Sequence, residues 1–371
     1  MNGHLQQSSK TRRGFSLVEI LVVIAIIAIL AAMAGYAVFA MVGGQQRRNT
    51  ESTIKVVHKI LMSHWDTVVK EAKNDSPSPA VLALAQGDPA RAKVLWIKFR
   101  LMEAFPQTYA EIGTTTLPGL KTTPWVYWDS VNNVSYIPSG QQRYIAGYQK
   151  LLGNAVSVNP LTESGACLRI ALSVPRNGVS LSEDTLKYAI LDTDGDGITE
   201  LTDSFENPKQ ALAFFRFAWN YQTPSFSIQN NLNPAAASKK AGKVSRSATF
   251  ADPVDTEGSL ITNVSWMFIM PPGAPQPYTT PTLQRALFES QFHPVTNPYP
   301  LPPKTAPPYT ACFNLPVIVS AGSRIDPKTN TRPFALNVDA KGHFLPEMSI
   351  DAAVATPFEN DNIYSFQLTG N

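Results

Sequence analysis

Arg12-Arg13-Gly14-Phe15-Ser16-Leu17-Val18-Glu19-Ile20-Leu21-Val22-Val23-Ile24-Ala25 is the stretch that decides how the rest of the chain is read. Lys10, Arg12 and Arg13 precede any acidic residue, and from Ile20 to Val42 about 23 residues follow without a charge. At about 1.5 Å of rise per residue, a helix of that length crosses a bilayer. The basic cluster favours a cytoplasmic start, although Arg47 and Arg48 on the far side weaken that bias. Glu19 is the residue out of place. A carboxylate at the edge of an apolar span costs a few kcal/mol unless it finds a partner or water, and a plain membrane anchor has no use for it.

Basic residues, Gly14, Phe15, Glu19 and the apolar run fall in an order and spacing that closely resembles the class III signal of type IV pilins and type II secretion pseudopilins. The resemblance implies that a prepilin peptidase cuts after Gly14. Phe15 then becomes an N-methylated N-terminus, and Glu19 falls at the fifth place of the shortened chain. It implies residues 1–14 as a cleaved leader, 15–42 as a transmembrane and fibre-core helix, and 43–371 as a soluble pilin-like head. The implied location is the bacterial inner membrane, single pass with the head in the periplasm, and later a pseudopilus or surface fibre. The implied partners are the peptidase, an assembly platform and other pilin or pseudopilin subunits. Tyr36 stands where family members often carry a helix-bending proline. An ordinary secretory signal cut after Ala32-Met33-Ala34, or a signal-anchored periplasmic binding protein, is the competing reading; either leaves Glu19 unexplained.

Composition agrees with a globular head. The 371 residues are 44% apolar and 16% charged, which suits a folded core and not global disorder. Thirty prolines are about 8% of the chain against a usual level of roughly 5%, so irregular stretches should interrupt the fold. The formal charge of +3 is too small to argue for nucleic acid. Of the 31 basic residues, the three in the leader leave with it, and the remaining 28 balance the 28 acidic ones. Two cysteines exclude a zinc or iron-sulfur site built from cysteine alone. After export, Cys167 and Cys312 would meet an oxidising compartment, where a bridge between them or two free thiols are both open readings.

Beyond Gly43-Gly44, Ile54, Val57, Leu61, Trp65 and Val68 recur every three or four residues, with Lys55, Lys59, Asp66 and Lys70 between them. That pattern is one face of an amphipathic helix. Asn74-Asp75-Ser76-Pro77 stops it, so one helix is expected from about Phe15 to Lys73. A second should run from Asp88 to Phe105, with Asp88 as N-cap, Pro89 in the first turn and Pro106 at the end. Helical signals then fade near Glu111. Cys167–Leu172, Ala211–Phe217, Ser265–Ile269, Pro316–Ser320 and Ile363–Leu368 read as strands, which predicts an α+β fold with an antiparallel sheet against the first helix. The proline-crowded stretch from Pro271 to Pro308 reads as an extended surface loop pinned by Tyr278, Phe288, Phe292 and Tyr299. Leu201-Thr202-Asp203-Ser204-Phe205-Glu206-Asn207-Pro208 is similar, with Phe205 and Glu206 substituted, to the Asp-x-Trp-Gly-x-Pro element of major-pseudopilin-like proteins. Ser320-Ala321-Gly322 with Asp361-Asn362-Ile363 resembles the closing segment of the same family.

Asp192-Thr193-Asp194-Gly195-Asp196-Gly197 is the one carboxylate constellation. Acidic residues at alternate places, Gly at the sixth and Asp203 at the twelfth resemble a calcium loop in which oxygen ligands wrap a hard cation. Asp192, Asp194, Asp196 and Asp203, with the backbone carbonyl of Ile198, are the expected ligands; a solvated acidic turn is the plainer reading. His4 leaves with the leader, His58 and His64 fall on the amphipathic helix, and His293 and His343 sit in loops without Cys or paired carboxylates nearby, so each reads as a surface or packing histidine. No phosphate-binding glycine loop or Gly-x-Ser-x-Gly elbow occurs. The expectation is a structural fibre subunit and not an enzyme. Glu19 argues against the tip pseudopilin, which typically lacks it, and a head near 300 residues is large for a major fibre subunit.

Overall fold

A computed structural model describes residues 17–112, 128–129, 134–153, 159, 161–182, 184, 186–206, 209–218, 254–255, 259, 315–323, 362–365 and 368. Gly14, Phe15, Ser265–Ile269, the 271–308 stretch with its aromatics, His293, Cys312 and His343 lie outside the described residues.

Helix α1 runs from Leu17 to Asn74, 58 residues, and passes through Gly43-Gly44 without a break. Its alanines and leucines favour the helix, and no proline interrupts it. The chain divides at Gln46 and Arg47 into two compact units. In the first, the described large apolar side chains from Leu17 to Met41 are exposed, Leu17 at 79% and Met41 at 75%. This helix is long and apolar enough to cross a membrane. In the second unit the expected stripe is a core stripe: Ile54, Val57, Leu61, Trp65 and Val68 are all buried.

Opposite that stripe lies α3 (Pro89–Ala104), reached through the short α2 (Pro79–Leu84). Its start is as the sequence predicts. Asp88 Oδ1 accepts from the amides of Ala90 at 2.9 Å and Arg91 at 3.1 Å, and Pro89 occupies the first turn. The Phe105 ring stacks on Trp65 of α1 at 5.5 Å. Unlike a surface helix, α3 buries charged residues too. Arg100 pairs with Glu103 at 2.6 Å, and Glu103 also accepts from the amides of Arg143 and Tyr144. Such a buried carboxylate is tolerable because every oxygen is used.

Helix α4 (Tyr109–Ile112) precedes a two-stranded ribbon of β1 (Trp128–Asp129) and β2 (Val134–Ser135). Two further helices follow, α5 (Ile145–Leu152) and α6 (Glu163–Ser173). They correct two expectations, since helical structure continues beyond Glu111, and Cys167–Leu172 is helix and not strand. Five apolar residues broken only by Arg169 serve equally for a buried strand or a buried helix. Here Ser164, Gly165 and Ala166 decide it by letting the helix approach the sheet closely. A Cβ on Gly165 would sit 2.5 Å from the carbonyl oxygen of Leu212.

The remaining strands are antiparallel throughout. β3 (Ile190–Leu191) and β4 (Glu200–Leu201) form a hairpin with Leu191 opposite Glu200. β5 (Ala213–Ala218), β6 (Leu315–Ser320) and β7 (Ile363–Tyr364) form a three-stranded sheet in that order, with Phe214 opposite Ile318 and Ser320 opposite Ile363. The expected strands at 211–217 and 316–320 are therefore present within a residue or two, and the last is shorter than expected. The helix against this sheet is α6, whose Ser164 Oγ accepts from the Phe214 amide at 3.1 Å. α1 is held by the Trp65–Phe105 stack and by turns: His64 Nε2 donates to the Val179 carbonyl at 2.8 Å, and Arg143 reaches Glu71 and Asp75. The described elements thus make an α+β chain with one long apolar helix and small antiparallel sheets.

Candidate functional site

Two places carry functional side chains. At the start of α1, Glu19 lies in the first turn, where a negative charge complements the helix dipole. From there the exposed apolar residues follow without interruption by a charge.

The second place is the acidic loop that joins β3 to β4. Gly195 and Gly197 adopt φ of 77° and 87°, which a side chain would resist, so the glycines permit the loop to curl. The curl turns backbone amides onto carboxylates. Asp192 accepts from Gly195 at 2.6 Å and from Gly197 at 3.0 Å. Asp194 Oδ1 accepts from the Asp196 amide at 3.2 Å, and Asp196 Oδ1 from the Ile198 amide at 2.7 Å. Two outside hydroxyls anchor the loop to the helices. Thr162, just before α6, donates to Asp194 Oδ2 at 2.6 Å, and Tyr109 of α4 donates to Asp196 Oδ2 at 3.4 Å.

The hairpin register then supplies Glu200, which sequence spacing did not point to. Pairing with Leu191 sets it at the mouth of the loop. Asp192, Asp194, Asp196 and Glu200 each bring a carboxylate oxygen within 4.8 Å of the others, a group that could hold a metal ion. Asp192 and Asp194 are exposed, whereas Asp196 is 5% exposed and Glu200 wholly buried. Glu200 Oε2 accepts from the amide and hydroxyl of Thr193 at 2.8 and 2.7 Å. Its Oε1 is buried with no hydrogen-bond partner among the described residues. Burial above all, with Asp194 and Asp196 adding, pushes the Glu200 carboxyl up to about 7 against the two Thr193 hydrogen bonds. Burial likewise raises Asp196.

Asp203 stands elsewhere. Its Oδ2 accepts from Ser320 Oγ at 3.0 Å, and its amide donates to the Gln210 carbonyl. It fastens the turn that feeds β5 to the end of β6, so the two weaker sequence resemblances, around Asp203 and around Ser320, meet in space. Ile198 is buried at the base of the loop. Cys167 is buried within α6, where burial pushes its thiol well up and leaves it unreactive. Burial lowers His58 and His64.

Comparison with known families gives one result: residues 9–35 match the prokaryotic N-terminal methylation motif. No curated protein and no solved structure matches the chain. The matched segment spans Gly14, Phe15 and Glu19 and continues into the exposed apolar part of α1. Proteins bearing this motif are in general structural and not catalytic. Residues 9–35 are therefore a prepilin-type signal, and they mark the chain as a type IV pilin-like precursor that prepilin peptidase processes for assembly with other pilin subunits.

Proposed function

We propose that this chain is a structural subunit of a type IV pilus-like fibre or a type II secretion pseudopilus. It is stored in the inner membrane with its head in the periplasm and handed by an assembly platform to the growing fibre. The observation that carries this reading is the methylation motif at 9–35 running directly into the first half of α1, whose described large apolar side chains from Leu17 to Val42 are exposed. A helix apolar on every side is stable only in lipid or packed among its like. A membrane before assembly and a bundle of neighbouring α1 helices afterwards supply the two environments in turn. In this reading Gly14 is the last leader residue, Phe15 the methylated N-terminus and Glu19 the residue that pairs with the new amine.

The head is read as pilin-like, supported by the α+β content and by the Asp203–Ser320 bond that joins two family-like segments. Its acidic loop is read as a calcium site. Calcium takes six to eight oxygen ligands in flexible geometry, whereas magnesium demands a smaller octahedron and keeps its waters. A cluster of four carboxylates on a curled loop suits the former. Mass spectrometry of the N-terminus of the membrane-extracted protein tests the fibre reading. A chain beginning at N-methylated Phe15 is expected, and a chain beginning at Met1 or Gly35 overturns it.

A further inference from the structure

We propose that Glu200 is the inner ligand of a single calcium ion held with Asp192, Asp194 and Asp196, and that this ion clamps the β3–β4 hairpin onto α4 and α6. The inference rests on the calcium reading given above and adds the ligand set and the purpose.

Glu200 is what separates this loop from a solvated acidic turn. The three aspartates satisfy themselves: each accepts a loop amide, and two accept a hydroxyl from a neighbouring helix. Glu200 does not. It is wholly buried, only one of its oxygens is engaged, and the other has no hydrogen-bond partner among the described residues. A buried, unsatisfied carboxylate is expensive, and it persists where something outside the chain completes it. A carboxylate oxygen of Glu200 lies within 4.8 Å of oxygens from three aspartates, and a cation is the group that completes all four at once. Two facts set its class. All four donors are hard oxygens, which select calcium over softer metals, and the remaining positions are open to backbone carbonyls and water.

The clamp follows from what the ligands already hold. Asp194 is bonded to Thr162 at the head of α6, and Asp196 to Tyr109 of α4. An ion that fixes both aspartates and the β4 residue Glu200 therefore ties two helices to the hairpin. Asp203, engaged with Ser320, has no part in it.

The test uses the detergent-solubilised full-length chain, titrated with calcium chloride by calorimetry. Wild type is expected to bind one ion. Glu200→Gln, close in shape and able to keep the Thr193 contacts, is expected to weaken binding by at least the roughly 10–100-fold that loss of an outer-shell partner alone costs a metal site. Asp203→Asn is expected to leave the affinity unchanged. Should Glu200→Gln fail to fold, hydrogen exchange on wild type carries the test. Calcium is expected to slow the amides of Gly195, Gly197 and Ile198 together with those of the first turn of α6. Calcium binding that survives Glu200→Gln, or that leaves α6 unprotected, overturns this inference while the calcium reading stands. Absence of binding by the wild type overturns both.

Discussion

Replacing Gly165 by alanine should destabilise the head, although alanine is the better helix former. In an unconstrained helix the exchange gains about 1 kcal/mol. At this position the new Cβ would lie 2.5 Å from the Leu212 carbonyl oxygen and 3.6 Å from the Ala211 Cβ. The first contact involves backbone, so no side-chain rotation relieves it and α6 or the start of β5 has to move. Overpacking of this kind costs about 1–3 kcal/mol. Movement also strains two bonds, from the Phe214 amide to Ser164 Oγ and from the Leu212 amide to the Leu201 carbonyl at 2.7 Å, each worth about 0.5–1.5 kcal/mol. The net expectation is a loss of about 1–3 kcal/mol. Gly147 in α5 is the matched control, because its Cβ would meet nothing nearer than Val174 Cγ2 at 3.7 Å, an ordinary contact. Gly147→Ala should therefore stabilise, by up to about 1 kcal/mol. Urea unfolding of the detergent-solubilised chain, followed by far-ultraviolet circular dichroism, measures both. A Gly165→Ala protein as stable as wild type, or the two substitutions shifting the midpoint in the same direction, would refute the argument that close approach fixes this helix.

Gly14→Val should leave the precursor uncut in the membrane, since a branched side chain beside the scissile bond does not fit where glycine does; an immunoblot showing normal-size mature protein would count against it. Glu19→Ala should be cut and retained in the membrane yet poorly incorporated, because the Phe15 amine left alone in an apolar fibre core costs about 3–5 kcal/mol; wild-type levels in sheared fibres would defeat that view. His58 and His64 are held below their ordinary value by burial. The folded head binds their protons less readily than the unfolded chain, so the stability they permit is full above about pH 6.5 and is lost as pH falls through their lower folded values. The stability difference between wild type and His64→Gln should accordingly shrink between about pH 8 and pH 5, and a pH-independent difference in urea midpoints would speak against it.

Elements whose signals are local are legible in the sequence. α3 announces itself through Asp88, Pro89 and Pro106, and the stripe from Ile54 to Val68 marks the buried half of α1 because a 3.6-residue period has no other use for that spacing. α6 is not legible in the same way. Its apolar run carries no period, and what makes it a helix is a close approach to Leu212 that no local pattern encodes. The acidic loop shows both cases. The alternating aspartates and the two glycines are local, and the structure brings Asp192, Asp194 and Asp196 together. The fourth carboxylate depends on strand register: Leu191 pairs with Glu200, whereas counting to the twelfth place leads to Asp203, which faces Ser320. The signal that could have found Glu200 is its position opening β4 directly across from the residue before Asp192.

The bond between Asp203 and Ser320 spans 117 residues of chain, and this sets an order of events at birth. β5 can already pack on α6 when it is made, whereas its strand neighbour β6 arrives only about a hundred residues later and the sheet is not complete until Ile363. At about 5–20 residues per second of synthesis, β5 waits roughly 5–20 s for its strand partner. A chain cut short before Leu315 would leave the pairing edge of β5 permanently bare, which makes late truncations more hazardous to the cell, through edge-to-edge association, than their small loss of mass suggests.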